Sequence, residues 1–319
     1  MRKKILTLTA LVALGACVTF GGAVSAGPSA PAPLTPGTWD CETTQPNPAP
    51  NLPRDLHETD HIEYIGKWLH GTARSSTAGS PDPYYDYYLA HLGSRWVYIQ
   101  VSVDPANPSL MNYFVGTSHD AQLRSSHWRI VYPAETGEYQ VAEVLGQSTV
   151  RQFSIKYADL TQVCANSGSY LPPAPAATLK CTTTRLEPGD AGAASFPSYL
   201  SITKMAADIT ANAKVPTYWW QGVATNSPSG GRIIYEYNIF SIQGRFYSIE
   251  INGDTGSYAI AESTAAQDLA NTSWTVVYPQ LENGFTFGSV TYGADALPQA
   301  FDLYFADGYQ HCGPLRAGR

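Results

Sequence analysis

His57-Glu58-Thr59-Asp60-His61 spells H-E-x-x-H. On a helix, positions i and i+4 put both imidazoles on one face to hold a zinc ion, and the glutamate acts as general base toward a metal-bound water. A third ligand would come from His70 or Glu63. The surroundings weaken that reading. Pro53 lies where the helix should already be running, and Thr59 and Asp60 are polar where a buried catalytic helix is apolar. Tyr64 and Lys67 stand where the extended zinc-peptidase motif has Gly and His. The plainer reading is a solvated surface segment. Six of the seven histidines, His57, His61, His70, His91, His119 and His127, fall in the first half of the chain. Zinc or haem ligation there is a secondary expectation, and no cofactor is the primary one.

Two carboxylates sit between tyrosines at matching places: Asp86 between Tyr85 and Tyr87, and Glu236 between Tyr235 and Tyr237. Each could line a barrel and meet a polar ligand, or pair with Arg95 or Arg245 across a hairpin, and the ion pair is the simpler explanation. A glycosidase needs two carboxylates across one cleft, whereas each half offers one. Trp219-Trp220 is the best aromatic contact, because adjacent strand residues face opposite sides and one ring should be left outside the core. Trp128 and Trp274 read as core. The expected ligand-binding set is therefore Trp219, Trp220, Tyr87, Tyr237, Asp86 and Glu236. No catalytic residue is assigned, since G-x-S-x-G, P-loop and dinucleotide fingerprints are all missing.

These residues are carried by a chain that repeats itself. Cys41-Glu42-Thr43-Thr44 returns as Cys181-Thr182-Thr183-Thr184, and Trp128-Arg129-Ile130-Val131-Tyr132-Pro133 returns as Trp274-Thr275-Val276-Val277-Tyr278-Pro279. Each copy opens and closes with a cysteine, so the duplication selects Cys41–Cys164 and Cys181–Cys312 from the three pairings that four cysteines allow. Each bridge would be worth about 4–5 kcal/mol in the chain-entropy treatment. Runs such as Arg232–Phe240 and Arg245–Ile251, rich in aromatic and β-branched residues around Gln243-Gly244, read as hairpins. The expected fold is all-β: two tandem antiparallel meanders of about seven strands, each closed by one disulfide and curled into a barrel, with a sandwich as the alternative. One helix is expected at Tyr199–Asn212. The segment His57–His61 aligns with Asp208–Asn212, on the assumption that copy two gains about 11 residues soon after its first cysteine. Expected bounds are a signal peptide over 1–26, a disordered tail over 27–36, copy one over 37–166, a Pro-rich linker over 167–177, copy two over 178–312 and a tail over 313–319.

Met1-Arg2-Lys3-Lys4, the apolar run to about Val18 and Val24-Ser25-Ala26 form the signal peptide. The product should be secreted or periplasmic, with a lipoprotein anchored through Cys17 as the lesser alternative. Without 1–26 the formal charge moves from −7 to −10, which disfavours nucleic acid and anionic lipid as partners. No other apolar run is long enough for an integral membrane span. Gly37-Thr38-Trp39 before the first strand of an exported meander resembles the entry of the lipocalin and wider calycin barrels. The resemblance covers copy one alone, because copy two has Thr178-Leu179-Lys180 there. It implies a ligand cup. The expected function is a non-catalytic binding protein for a small hydrophobic or aromatic ligand. The alternatives are a carbohydrate-binding or surface-adhesion module and a zinc hydrolase using His57-Glu58-x-x-His61. Oligomeric state is left open.

Overall fold

The computed structural model describes residues 36–44, 55–75, 83–104, 107–119, 126–133, 138–142, 152–157, 160–168, 177–185, 195–205, 219–228, 232–264, 268–281, 284–293 and 297–315. All of them belong to one compact unit, Pro31–Arg319. The expected signal peptide, most of both expected tails and most of the expected linker lie outside the described residues.

The described chain is all-β, with ten strands per copy. Copy one runs through β1 (Gly37–Thr44), β2 (Asp55–Ile65), β3 (Trp68–Ser75), β4 (Pro83–Leu92), β5 (Arg95–Asp104), β6 (Asn107–Ser118), β7 (Ser126–Tyr132), β8 (Glu138–Ala142), β9 (Gln152–Tyr157) and β10 (Leu160–Gly168). Neighbours in sequence pair antiparallel, and β10 returns to β1 to close a barrel. Copy two repeats this with β11 (Ala177–Arg185), β12 (Ser195–Lys204), β13 (Trp219–Thr225), β14 (Ile233–Ile242), β15 (Arg245–Asn252), β16 (Tyr258–Ser263), β17 (Trp274–Tyr278), β18 (Thr286–Tyr292), β19 (Pro298–Phe305) and β20 (Gly308–Pro314). Its sheet runs from β17 round to β18, and a bridge between Ser273 and Thr286 joins those two edges. Closing a meander removes the unpaired edges that would otherwise template aggregation. The tight turns behave as their residues demand. Gln243 and Gly244 both take positive φ between Ile242 and Arg245, as a two-residue hairpin turn matched to strand twist requires.

Each disulfide ties the first strand of its copy to the last. Cys41 faces Cys164 across β1 and β10, and Cys181 faces Cys312 across β11 and β20. Each bridge therefore clamps the pairing of a copy's first and last strands.

Several expectations change. Tyr199–Lys204 is strand, not helix; Leu200 and Ile202 are buried at a spacing of two, with Leu200 opposite both Leu179 and Ala224. The rest of that segment lies outside the described residues. The strands carrying the cysteines, with β2 and β12, raise the count from seven to ten. The extra residues of copy two sit between β12 and β13, where copy one has the tight turn Gly66-Lys67. Copy one continues to Gly168, and copy two continues to Pro314, which pairs with Leu179.

The two copies share a core. Alternate residues of β3 to β6, including Trp68, Tyr88, Ile99 and Tyr113, form one buried cluster with Trp219, Phe240, Ile249 and Ile260 of copy two. Neither sheet could leave so apolar an outer face in water. Truncating Phe240, which is fully buried against Tyr113, to alanine should cost about 3–5 kcal/mol. With a common core, urea unfolding followed by tryptophan fluorescence and by circular dichroism should show one coincident transition, whereas two separated transitions would show independent domains.

Candidate functional site

Strand alternation gives each copy two buried faces with different chemistry. On β4, Tyr85, Tyr87 and Leu89 point into the first barrel, while Asp86, Tyr88 and Ala90 point at copy two. Inside the first barrel, Trp39, Ile62, Leu69 and Tyr87 pack around the Cys41–Cys164 bridge. Gly71 is required there, because the Tyr87 ring occupies the place its Cβ would take. Above this floor the walls are looser. Tyr85, Leu89, Tyr98 and Phe114 face inward yet are only partly buried, while Trp128 and Ile130 close the far side. These inward side chains keep some accessible surface.

Asp60 is the acid of the first barrel's interior. It is 1% exposed and accepts hydrogen bonds from the hydroxyls of Tyr87 at 3.3 Å and Tyr85 at 3.4 Å. The Gln162 amide donates to Tyr85 at 3.0 Å. Burial pushes the Asp60 carboxyl up to about 7 against the opposing pull of the two phenols. The sulfurs of Cys41 and Cys164 lie close to Asp60, but they are bonded to each other and cannot serve as thiolate ligands. Copy two places a different acid beside the equivalent tyrosines. Glu250 on β15 faces Tyr237 across the strand pair, and burial pushes its carboxyl up to about 7. In the second interior, Trp220 and Leu200 crowd Gly222, and Trp274, Phe285, Phe287 and Phe301 make continuous ring contacts.

On the outer face, a polar cluster sits in the apolar interface between the copies. Tyr88 donates its hydroxyl to Glu236 Oε1 at 2.6 Å and lies 3.0 Å from Asp86 Oδ2. The Gln221 amide donates to Glu236 Oε1 at 2.6 Å, and the Asn238 amide to Asp86 Oδ2 at 2.8 Å. His70 Nε2 stands 2.8 Å from Asp86 Oδ1, and Thr72 donates to the same oxygen at 2.6 Å. Trp219 Nε1 donates to Asn238 Oδ1 at 2.7 Å. Burial disfavours charge on His70, but Asp86 and Glu236 beside it raise its pKa well above the usual imidazole range. Burial also opposes charge on Asp86, yet His70 holds this carboxyl below its ordinary value. Burial pushes Glu236 up to about 8, with the Asp86 charge adding to it and His70 opposing it. The cluster thus contains one ion pair and one carboxyl that retains its proton near neutrality.

The six expected ligand contacts are therefore split between compartments. Tyr87 and Tyr237 belong to the barrel interiors, and Asp86, Glu236 and Trp219 to the interface. Trp220 belongs to the second interior. Neither tryptophan of the pair is free, each being 2% exposed, because the outward face of β13 is covered by copy one. The carboxylates do not pair with the hairpin arginines either: Asp86 and Glu236 meet across the copies, and Arg245 instead bridges Glu262 at 2.7 Å.

The H-E-x-x-H motif lies on β2, an extended strand, with His57 opposite Glu42 and His61 opposite Thr38. Four residues of strand separate the two Cα atoms by about 13 Å, so the helical zinc geometry does not arise. By strand register the duplicate positions are Pro197 and Ser201, not Asp208 and Asn212. His70 is not their third ligand; it belongs to the interface cluster. His91 and His119 are exposed.

Asp60, Thr72, Gln162, Gln221 and Asn238 were not legible as functional residues. Asp60 was hidden as a variable position of the motif. A signal for Gln221 and Asn238 existed: they occupy the strand positions that His70 and Tyr88 hold in copy one.

Between about pH 4 and 7 the folded chain keeps a proton on Asp60 that the unfolded chain, with a pKa near 3.8, has released. Folding stability should therefore rise as pH falls through about 7, with the gain complete near pH 4. Asp60→Asn should remove that share of the slope, worth at most about 4 kcal/mol, in urea titrations at pH 5 and pH 8. Tyr88→Phe strips two buried carboxyls of a shared donor and should cost about 1–3 kcal/mol in the same assay.

Compared with protein-family models, with curated proteins and with solved structures, this chain matches none, so its function is read from the geometry above.

Proposed function

We propose that this chain is an exported, non-catalytic binding protein that holds a small apolar or aromatic ligand in the lumen of its first barrel. The observation that carries this reading is the set of inward, partly accessible Tyr85, Leu89, Tyr98 and Phe114 in the first barrel, with Tyr85 bonded to the buried acid Asp60. An apolar cavity with a few convergent polar groups is the usual form of a small-molecule site. The ligand's apolar body would lie against the aromatic walls, and one N–H or O–H group would meet the Asp60, Tyr85 and Tyr87 cluster. Two disulfides fit an oxidising compartment, and the N-terminal sequence 1–26 supports export to it. Among the described residues no helix is long and apolar enough to cross a membrane. Trp39 of the Gly-x-Trp sequence is wholly buried in the barrel, which supports the calycin-like reading, while ten strands depart from the eight of a lipocalin.

A second reading, carbohydrate recognition, rests on one observation. Tyr304 and Tyr309 are direct cross-strand partners on β19 and β20 and are 50% and 42% exposed, a small aromatic platform. The zinc hydrolase reading loses its support with the helix it needed.

The lumen reading is tested with N-phenyl-1-naphthylamine, an aromatic probe with one N–H. It should bind with a dissociation constant of about micromolar order and gain fluorescence. Leu89→Trp, which fills the lumen, should abolish the signal, and Tyr87→Phe should weaken it several-fold. Undiminished binding to a folded Leu89→Trp variant would remove the lumen as the site.

A further inference from the structure

The interface cluster gathers groups of the kinds that ligate metal ions. Three carboxyl groups, Glu63, Asp86 and Glu236, surround one imidazole in an otherwise apolar interface, and among the described residues no Lys or Arg pairs with any of them. Burying acids without cations is costly unless something positive accompanies them. Glu63, His70 and Glu236 each offer a ligand atom within 4.8 Å of the others, and Asp86 adjoins this group through His70 Nε2. His70 Nε2 is 2.8 Å from Asp86 Oδ1 and 3.4 Å from Glu236 Oε1, separations close to those between ligands that share one small cation. On the other ring nitrogen, Nδ1 faces Glu63 Oε1 at 3.1 Å. A second, independent observation points the same way: Glu236 is fully buried, yet its Oε2 has no hydrogen-bond partner.

We infer that the two copies are bridged by a divalent first-row cation, zinc by its chemistry, held by His70 Nε2, Asp86 and Glu236. Glu63 orients the ring by accepting the Nδ1–H, the carboxylate–histidine–metal arrangement that fixes tautomer and ring direction. One imidazole with carboxylate oxygens suits zinc, and the absence of sulfur from the set argues against copper(I). Two ligands come from copy one and one from copy two, so the ion joins the halves where their sheets meet. The Glu63 side chain is 36% exposed, which gives the site an opening to solvent. The metal displaces protons from His70 and Glu236, and its binding releases them to the buffer.

The experiment uses the full exported chain, dialysed against EDTA and titrated calorimetrically with zinc chloride. One zinc per chain is expected, and zinc K-edge absorption should show nitrogen and oxygen ligands at about 2.0–2.1 Å with no sulfur. His70→Ala and Glu236→Gln should weaken binding by at least about tenfold, and His61→Ala should leave it unchanged. If circular dichroism shows that the interface variants have not folded, Glu63→Gln, at the solvent edge, decides. Weakening of about 10–100-fold supports the site, and wild-type affinity overturns it. The inference also fails if the wild-type chain takes up no stoichiometric zinc, or if affinity depends on His61 and not on His70. None of these outcomes depends on the lumen ligand.

Discussion

The structure depends on the burial of one sheet face of each copy against its own duplicate. In a free-standing barrel the outward side chains meet water. Here the outward positions of β3 to β6 and of β13 to β16 carry Trp68, Ile99, Tyr113, Trp219, Phe240 and Ile249, which form a single core. The arrangement is that of a two-fold dimer made in one chain. In such an interface, residues on the axis meet their own equivalents. Tyr132 stacks on Tyr278 at 4.8 Å, and Asp86 and Glu236 share the hydroxyl of Tyr88. Each member of these pairs is the duplicate of the other.

That geometry explains why polar residues persist at the centre. A two-fold axis brings identical side chains together, so an acid on the axis would face another acid. The chain resolves the conflict by letting the copies diverge. Where copy one has His70 and Tyr88, copy two has Gln221 and Asn238, and between them they supply donors to both carboxyls. Divergence was free to occur because fusion relieved the two halves of having to be identical. The same freedom gives the interiors different acids, Asp60 on β2 in the first and Glu250 on β15 in the second.

The hairpins and the disulfide pairing were legible because they are local or are fixed by repetition. Alternation of aromatic and β-branched residues marks β14 and β15, and two copies of a Cys-bounded segment leave one sensible pairing. The fate of Trp219-Trp220 was not legible. Alternation correctly says that the two rings face opposite ways, but a strand covered on both sides hides both of them, and the covering surface lies more than a hundred residues away in sequence. His57–His61 misled for a related reason. The same five letters put two imidazoles together on a helix and far apart on a strand, and the pairing of β2 with β1 and β3 decides between them.

The sequence alone determined that this chain is a duplicated, disulfide-closed β-protein, because periodicity, repetition and cysteine count act along the chain. The tertiary structure decided which side of each strand is barrel interior and which is interface. That is why Asp86 and Tyr87, adjacent residues on one strand, serve different compartments. A period of two puts neighbouring side chains on opposite faces, but the surface that packs against each face is set by long-range burial.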